Sequence, residues 1–517
     1  KPIVLAEIGA SEVGGNKPKW ITSLFEAFTK PENDDVIGFV WFNITVTSPV
    51  RGELVTNDWR LDSRASSLEA FRAGITDPLA RFLSEEEAAA AAAEAFDAWS
   101  RTTPEHRCEL LNRAAELLDA HADELVPLVQ AETGATMRVA KSMQVPQAAA
   151  RFRRYAEGAK EPTVTPLRPQ TVPATALAPG GVISAIANRA PVGVVTAISS
   201  YNFPVVNMAG KVAPALAMGN TVIMKPAPQD PLGVIRMAEL LVEAGFPPGV
   251  VNCVVSEDVA PSEVLTTHDA VDMVSFTGST AVGQRIAEVA GSRMKRLLLE
   301  LGGKGACVVL DDADLKAAIG GIGSVWGFHS GQICTSPTRV IAQRGIYDQL
   351  VAGLTKTAAY MPVGDPLERG TVVGPVISAA HRERVDGYVE MGRSEGATIA
   401  AGGERPDMER GFYVAPTLLA DATNDMTPVR EEIFGPVVAV VPVDDAEEAL
   451  AVANDSDFGL YSYVFTGDTG VAMDMAKRMR SGNVGLNTLQ RNHDAPFGGF
   501  KQSGVGRDGG SYGLDAY

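Results

Sequence analysis

Cysteine is scarce in this chain, basic charge is outweighed, and long apolar runs are missing. Four cysteines (Cys108, Cys253, Cys307 and Cys334) are scattered over 517 residues, with no CxxC pair. That spacing argues against a disulfide framework or a zinc site, so no metal is expected, and it fits a reducing cytoplasm. Lys and Arg number 45 against 63 Asp and Glu, which leaves a net charge of −18. Such a surface repels phosphate backbones and anionic lipids, so nucleic acid and membrane are poor partners. No run approaches the roughly eighteen apolar residues that a membrane-crossing helix needs. The chain opens on Lys1 without a charged start and apolar core, so no signal peptide is visible, and the lack of an initiator Met suggests a piece of something longer.

What is present is an ordinary globular composition, 45% hydrophobic and 21% charged, long enough for more than one domain. Residues 3–8 and 37–43 are short apolar runs that predict buried strands. Between them, residues 18–30 carry Trp20, Ile21, Leu24, Phe25 and Phe28 at helical spacing. One strand–helix–strand unit results, followed by a loop ending near Ile75. From Ser84 long helices are expected: an alanine-rich one to about Trp99, a second from Pro104, then others over 123–132 and 138–157. Residues 160–192 are rich in Pro, Thr and Val without helical period and predict extended hairpins. Beyond them apolar strands near 193–199, 220–225, 250–255, 271–276 and 296–301 alternate with helices. That alternation predicts a parallel, doubly wound sheet, and a second α/β set follows over about 306–490.

Three side chains carry the chemistry. Cys334 follows Gly331-Gln332-Ile333, a polar glycine-bearing turn whose backbone N–H groups are expected to lower a thiol's pKa and hold an oxyanion. A lone cysteine is also often only a small buried hydrophobe. Glu300 closes the strand Arg296-Leu297-Leu298-Leu299-Glu300, as a salt-bridged carboxylate or as a general base raised by burial. Asn202, between Tyr201 and Phe203, is either a helix cap or a side-chain N–H donor to an oxyanion. Gly278-Ser279-Thr280-Ala281-Val282-Gly283 follows a strand and opens a helix, the setting in which a pyrophosphate meets a helix N-terminus, although the spacing is not GxGxxG. Lys225 ends another strand, as a solvated terminus or within reach of a ribose hydroxyl.

Taken together, Tyr201-Asn202-Phe203-Pro204, Met224-Lys225-Pro226-Ala227, Gly245-Phe246-Pro247-Pro248-Gly249, Phe276-Thr277-Gly278-Ser279-Thr280, Glu300-Leu301-Gly302-Gly303-Lys304, Gly331-Gln332-Ile333-Cys334, Glu432-Ile433-Phe434-Gly435-Pro436 and Pro496-Phe497-Gly498-Gly499 resemble the NAD(P)-dependent aldehyde dehydrogenase superfamily over about 82–517. The resemblance implies an α/β, aldehyde-dehydrogenase-like fold with a doubly wound, Rossmann-like cofactor domain (81–160 and 191–302) and a second α/β catalytic domain (303–490). An oligomerisation hairpin at 161–190 and a returning segment at 491–517, stopping before a last arm strand, complete that expectation.

It also implies roles. Cys334 attacks an aldehyde, Asn202 and the Cys334 N–H hold the oxyanion, and Glu300 activates water to hydrolyse a thioester. Lys225 binds the adenosine ribose, Gly278, Ser279 and Gly283 bracket the pyrophosphate, Ile198, Ser199 and Leu301 line the cofactor site, and Glu432 and Phe434 position the nicotinamide riboside. Relatives that prefer NAD often carry a glutamate where this chain has Pro228, so NADP is as open as NAD. Tyr201, Trp326, Phe328 and Ile333 are expected to line an apolar substrate tunnel, although Trp326 and Phe328 also suit an ordinary helix-face core. The partner is a small aldehyde, with a homo-oligomer expected in intact relatives. A CoA-acylating semialdehyde dehydrogenase of the same fold, or an inactive fusion, is the alternative.

The first 76 residues have a likeness of their own. Lys1-Pro2-Ile3-Val4-Leu5-Ala6-Glu7, Phe39-Val40-Trp41-Phe42-Asn43 and Asp58-Trp59-Arg60 resemble the end of a mannanase-type glycoside hydrolase barrel. The resemblance implies a partial (β/α) barrel fragment at 1–80 and makes Glu7 a vestigial nucleophile, since a retaining glycosidase needs a second carboxylate about 5–5.5 Å away.

Overall fold

The computed structural model describes residues 83–517 apart from 257–258, and before them only the backbone of four strands. The chain divides into two units, Lys1–Ser84 and Glu85–Tyr517. In the first, Ile3–Ile8 pairs in parallel with Val36–Trp41. Residues 45–58, expected to be loop, instead form an antiparallel hairpin of Thr45–Val50 with Glu53–Asp58. Its two-residue connection, Arg51-Gly52, between β-branched segments is the missed signal. The helix expected over 18–30, the side chain of Glu7 and the loop to Ile75 lie outside the described residues.

The second unit begins with helices Glu85–Ser100, Pro104–Ala120 and Ala122–Thr133. Thr103 caps the second, its hydroxyl accepting from His106 N at 3.2 Å, and Pro104 takes the first helical position where no N–H is needed. The helical stretch from Met137 to Gly158 contains a π segment at Ala140–Gln144. These helices bury Trp99, Leu111, Leu118, Phe152 and Tyr155 in one core with the inner face of a sheet.

That sheet has six strands in the order Val251–Cys253, Thr221–Lys225, Val194–Ile198, Met273–Thr277, Arg296–Glu300 and Gly504–Val505. The first five run parallel, and only the last is antiparallel. Strand order therefore reverses between Val194–Ile198 and Met273–Thr277, leaving a crevice beyond their carboxyl ends, where doubly wound sheets bind ligands. Full burial of Val194–Ile198 and Thr221–Lys225 explains why they are mainly apolar rather than alternating.

A seven-stranded sheet follows, ordered Thr398–Ala401, Thr417–Ala420, Val437–Val443, Arg339–Gln343, Ala306–Val309, Tyr461–Phe465 and Asn483–Leu486. Only the first of these is antiparallel to its neighbour. Between the helices and the first sheet, Val164–Pro166 pairs with Ile186–Asn188, and Gln170–Val172 with Gly181–Ile183. These ribbons expose Val164, Val182, Ile183 and Ile186. Tyr517 is buried, its hydroxyl 2.8 Å from Ser275 Oγ and its carbonyl accepting from Asn220 Nδ2 at 2.9 Å.

Candidate active site

Cys334 lies just past a backbone contortion. The helix Leu315–Trp326 gives way to a short 3-10 turn, Phe328–Gly331. There His329 (φ 49°), Ser330 (φ 55°) and Gly331 (φ 72°) are successively left-handed. Two non-glycine residues in this region cost free energy that the surroundings must offset. Ser330 Oγ donates to Gly374 O at 2.7 Å, and Gln332 Oε1 accepts from Ile377 N at 3.0 Å, pinning the turn from both sides. At Gly331 a Cβ would lie 2.3 Å from the Gly435 carbonyl, so glycine alone fits.

The strand carrying Glu300 runs into the same place. Past its end, a Cβ on Gly303 would lie 2.3 Å from Cys334 O, and one on Gly302 would lie 2.4 Å from Glu432 Oε2. Gly303 N donates to Glu432 Oε1 at 2.8 Å. The two glycines thus let three segments, around 300–304, 332–334 and 431–434, converge. Leu301 is buried beside them, and Gly283 packs against its side chain.

Asn202 is 3% exposed and joins the same loop: its Nδ2 donates to Gln332 O at 2.9 Å. Its Oδ1 accepts from Ser200 Oγ at 2.7 Å, which fixes which face of the amide points at the cysteine turn. Gln144, in the π segment, donates to the Asn202 carbonyl at 3.1 Å. The helix-cap alternative does not hold, because Phe203 occupies the cap of Pro204–Ala217 and no side chain caps it.

Burial dominates the electrostatics. Both carboxyl oxygens of Glu300 are buried without a hydrogen-bond partner, so the salt-bridged alternative is not realised. Desolvation holds this carboxyl well above the usual range, with Asp508 adding to the rise and Lys211, Arg491 and Arg507 opposing it. The Cys334 thiol was expected to be lowered by nearby N–H groups. Instead it is pushed up to about 12, because burial outweighs the pull of Arg491 and its own backbone N–H. Glu432 is raised to about 7 by burial, against the Gly303 N–H and Lys304.

The candidate cofactor residues cluster at the crevice. Ile198 ends the first parallel strand, with Ser199 next to it donating through N to Lys225 O at 3.3 Å. Lys225 is 6% exposed rather than a solvated terminus; its Nζ donates to Pro226 O and Ser256 O, both at 3.2 Å. No carboxylate pairs with it among the described residues, which leaves an ammonium donor for ligand hydroxyls. Pro228 is exposed nearby. Ser279 caps Thr280–Gly291, accepting from Val282 N at 3.4 Å, so Gly278 and Ser279 present a helix N-terminus at the switch point. Phe434 has φ 62°, its carbonyl 2.8 Å from His381 Nε2, and its ring meets Tyr201 edge-on at 5.9 Å. These groups fit a dinucleotide.

Of the tunnel candidates, Tyr201 faces Phe434, and Ile333 is half-buried in the cysteine turn. Phe328 lies under Arg138, beside Ala135, Val139 and Ala140. Trp326 does not belong with them: it is 1% exposed in the core of the second sheet, and its Nε1 donates to Pro436 O. Sequence reasoning missed Lys211, Arg491 and Asp508. Lys211 had a signal, a lone cation in the apolar helix Pro204–Ala217.

A doubly wound sheet with a crevice at its switch point, a cysteine turn and a buried carboxyl suit a nicotinamide-dependent oxidoreductase. The comparisons narrow the class. The model of the aldehyde dehydrogenase family matches residues 83–517. Geranial dehydrogenase of Castellaniella defragrans is 40% identical over 432 residues, covering 83% of this chain and 88% of that protein. Phenylacetaldehyde dehydrogenase of Pseudomonas fluorescens is 38% identical, over 83% of this chain and 85% of that one. A betaine aldehyde dehydrogenase from Staphylococcus aureus, solved with NAD+, superposes with a TM-score of 0.79 at 34% identity, covering 84% and 85% of the two chains. The chain belongs to the aldehyde dehydrogenase family, and its activity is NAD(P)-dependent aldehyde oxidation.

Proposed function

We propose that Cys334 is the nucleophile, Glu300 the base and Asn202 the oxyanion donor of this oxidation. The carrying observation is the convergence of the Cys334 carbonyl, Gly303 and Glu432, with Glu300 buried and unpartnered one short segment away. Cys334 gives up its proton to solvent water and adds to the aldehyde carbon, whose C=O π pair moves to the oxygen. The new oxyanion takes hydrogen bonds from Asn202 Nδ2, released from Gln332 O, and from the Cys334 N–H. When bound, nicotinamide supplies a hydride acceptor. Glu300 then takes a proton from water, which hydrolyses the Cys334 thioester and frees the carboxylate product.

The raised Glu300 carboxyl favours this over CoA acylation, where no base for water is needed. Lys225 and Ser199 suit the adenosine ribose, Gly278, Ser279 and Gly283 the pyrophosphate, and Glu432 and Phe434 the nicotinamide riboside. Nothing acidic at Pro228 repels a 2′-phosphate, so both NAD and NADP are accepted. The apolar ribbons of 161–190 suit a second copy of the chain, and the unpaired cysteines suit a reducing cytoplasm. The first 80 residues are read as a hydrolase-like remnant in which Glu7 is idle.

The test is cofactor absorbance at 340 nm, in the NADH and NADPH band, with an aldehyde panel. Cys334→Ala is expected to abolish turnover. Glu300→Gln is expected to give one burst of reduced cofactor and then stall with thioester on the enzyme. Full steady-state turnover in Glu300→Gln overturns the base, and strict NAD preference overturns the Pro228 reading.

A further inference from the structure

The substrate side of the cysteine holds a charge that the chain does not neutralise. Arg491 lies in the segment between Asn483–Leu486 and Phe497, its guanidinium carbon 3.9 Å from the Phe497 ring centroid. That stacking holds the guanidinium flat while leaving its N–H edge free. Gly498, next to that ring, has its Cβ position 3.0 Å from Glu300 Oε1, which sets the stack beside the reacting carboxyl. Among the described residues Arg491 forms no ion pair and no hydrogen bond. Burial is the main influence on it, and the carboxyl whose charge it favours is that of Glu300.

A second guanidinium faces it. Arg151, on the helix Val145–Gly158, occupies the space a side chain at Gly210 would fill: a Cβ there would collide with its Nη1. Nη1 donates to Val206 O at 2.9 Å, and Arg151 has no acidic partner within ion-pair range. Arg151 lies close enough to disfavour the charge of Arg491. They line one cavity together with Arg154, His493 and Asp508. Arg154 is paired with Asp494 at 2.8 Å. Asp508 Oδ1 accepts from the Gly509 N–H at 2.7 Å, and its Oδ2 lies 3.4 Å from the same Gly210 Cβ position, beside Arg151 but not in an ion pair with it.

Leaving two part-buried guanidiniums unpaired beside a catalytic centre is costly unless an anion arrives with the substrate. We propose that this cavity binds a carboxylate on the substrate, so that the aldehyde is an ω-oxo acid held by Arg491 with Arg151 behind it. This rests on the aldehyde dehydrogenase reading above, and it revises the expectation of an apolar tunnel for uncharged aldehydes. The planar fork of Arg491 takes both carboxylate oxygens while the far-end aldehyde lies toward Cys334. A trimethylammonium aldehyde meets like charge there and is rejected.

The test compares 4-oxobutanoate with butanal, and betaine aldehyde with both, in the full-length protein. Wild type is expected to show kcat/KM about 10- to 100-fold higher for 4-oxobutanoate than for butanal, as a charge-assisted pair implies, and the least turnover with betaine aldehyde. Arg491→Leu is expected to bring the ratio to about one through KM, and Arg491→Lys to restore part of it. A wild-type preference for butanal, or a ratio that survives Arg491→Leu, overturns the proposal. So does an Arg491→Leu variant whose only change is the pH profile of Cys334 alkylation. If no aldehyde is oxidised, the dehydrogenase reading fails instead. Succinate then decides the anion site alone: it should slow iodoacetamide labelling of Cys334 in wild type, and no protection refutes it.

Discussion

Gly303→Ala should inactivate the protein while leaving it folded. A Cβ at this position would sit 2.3 Å from the Cys334 carbonyl oxygen and 3.3 Å from Leu460 Cβ. Ordinary contact begins at 3.4 Å, so the cysteine backbone must retreat by about 1 Å. A misplacement of that size at a reacting centre costs on the order of 10²-fold in rate. The overpacking itself costs about 1–3 kcal/mol of stability. Gly320→Ala is the control: Gly320 is an exposed residue of the helix Leu315–Trp326, and nothing lies within 4 Å of its Cβ position. It should stabilise by about 0.5–1 kcal/mol and leave kinetics unchanged. Steady-state kinetics with one aldehyde, alongside thermal unfolding, reads both effects. A Gly303→Ala enzyme within about three-fold of wild type would refute the claim that this glycine sets the cysteine's position.

Stability should also depend on pH through carboxyls away from Cys334. Asp230 is fully buried with both oxygens unpartnered and is raised to about 10, while Glu132 is raised to about 7. Each folded-state value exceeds the unfolded one, so the native state binds the extra protons and stability falls as pH rises from about 4 to 10. Asp230→Asn should flatten that decline and melt higher than wild type at pH 9; a steeper decline in the variant would contradict the burial argument. Because burial raises the Cys334 thiol to about 12, its alkylation should quicken about ten-fold per pH unit from 7 to 10, and a plateau near pH 8 would count against this. Ile183 and Ile186 are 60% and 66% exposed on the paired ribbons, so Ile183→Lys with Ile186→Lys should shift sedimentation toward monomer. An unchanged sedimentation coefficient would remove that surface from the assembly.

Wherever period and local chemistry decide the outcome, the sequence was a good guide. The parallel strands at 194–198 and 221–225 read as mainly apolar runs without alternation because both faces are covered. Pro104 after Thr103, and Pro204 at a helix start, mark boundaries by a missing N–H. The hairpin at 45–58 was missed because its turn signal is a lone Gly52. Titration was the harder matter. The cysteine turn does carry amides, and alone they would lower the thiol, but the depth that reverses this is set by segments near 202, 303 and 432, each more than thirty residues away. Arg491 shows the same limit more sharply. As a letter in a loop of polar residues it looks like solvated surface; only folding sets it on Phe497, in one cavity with Arg151, and without an ion pair of its own among the described residues. Counter-charge is a property of the assembled cavity, not of a window of sequence, so the specificity of this enzyme is written in what surrounds Arg491 and not in the arginine itself.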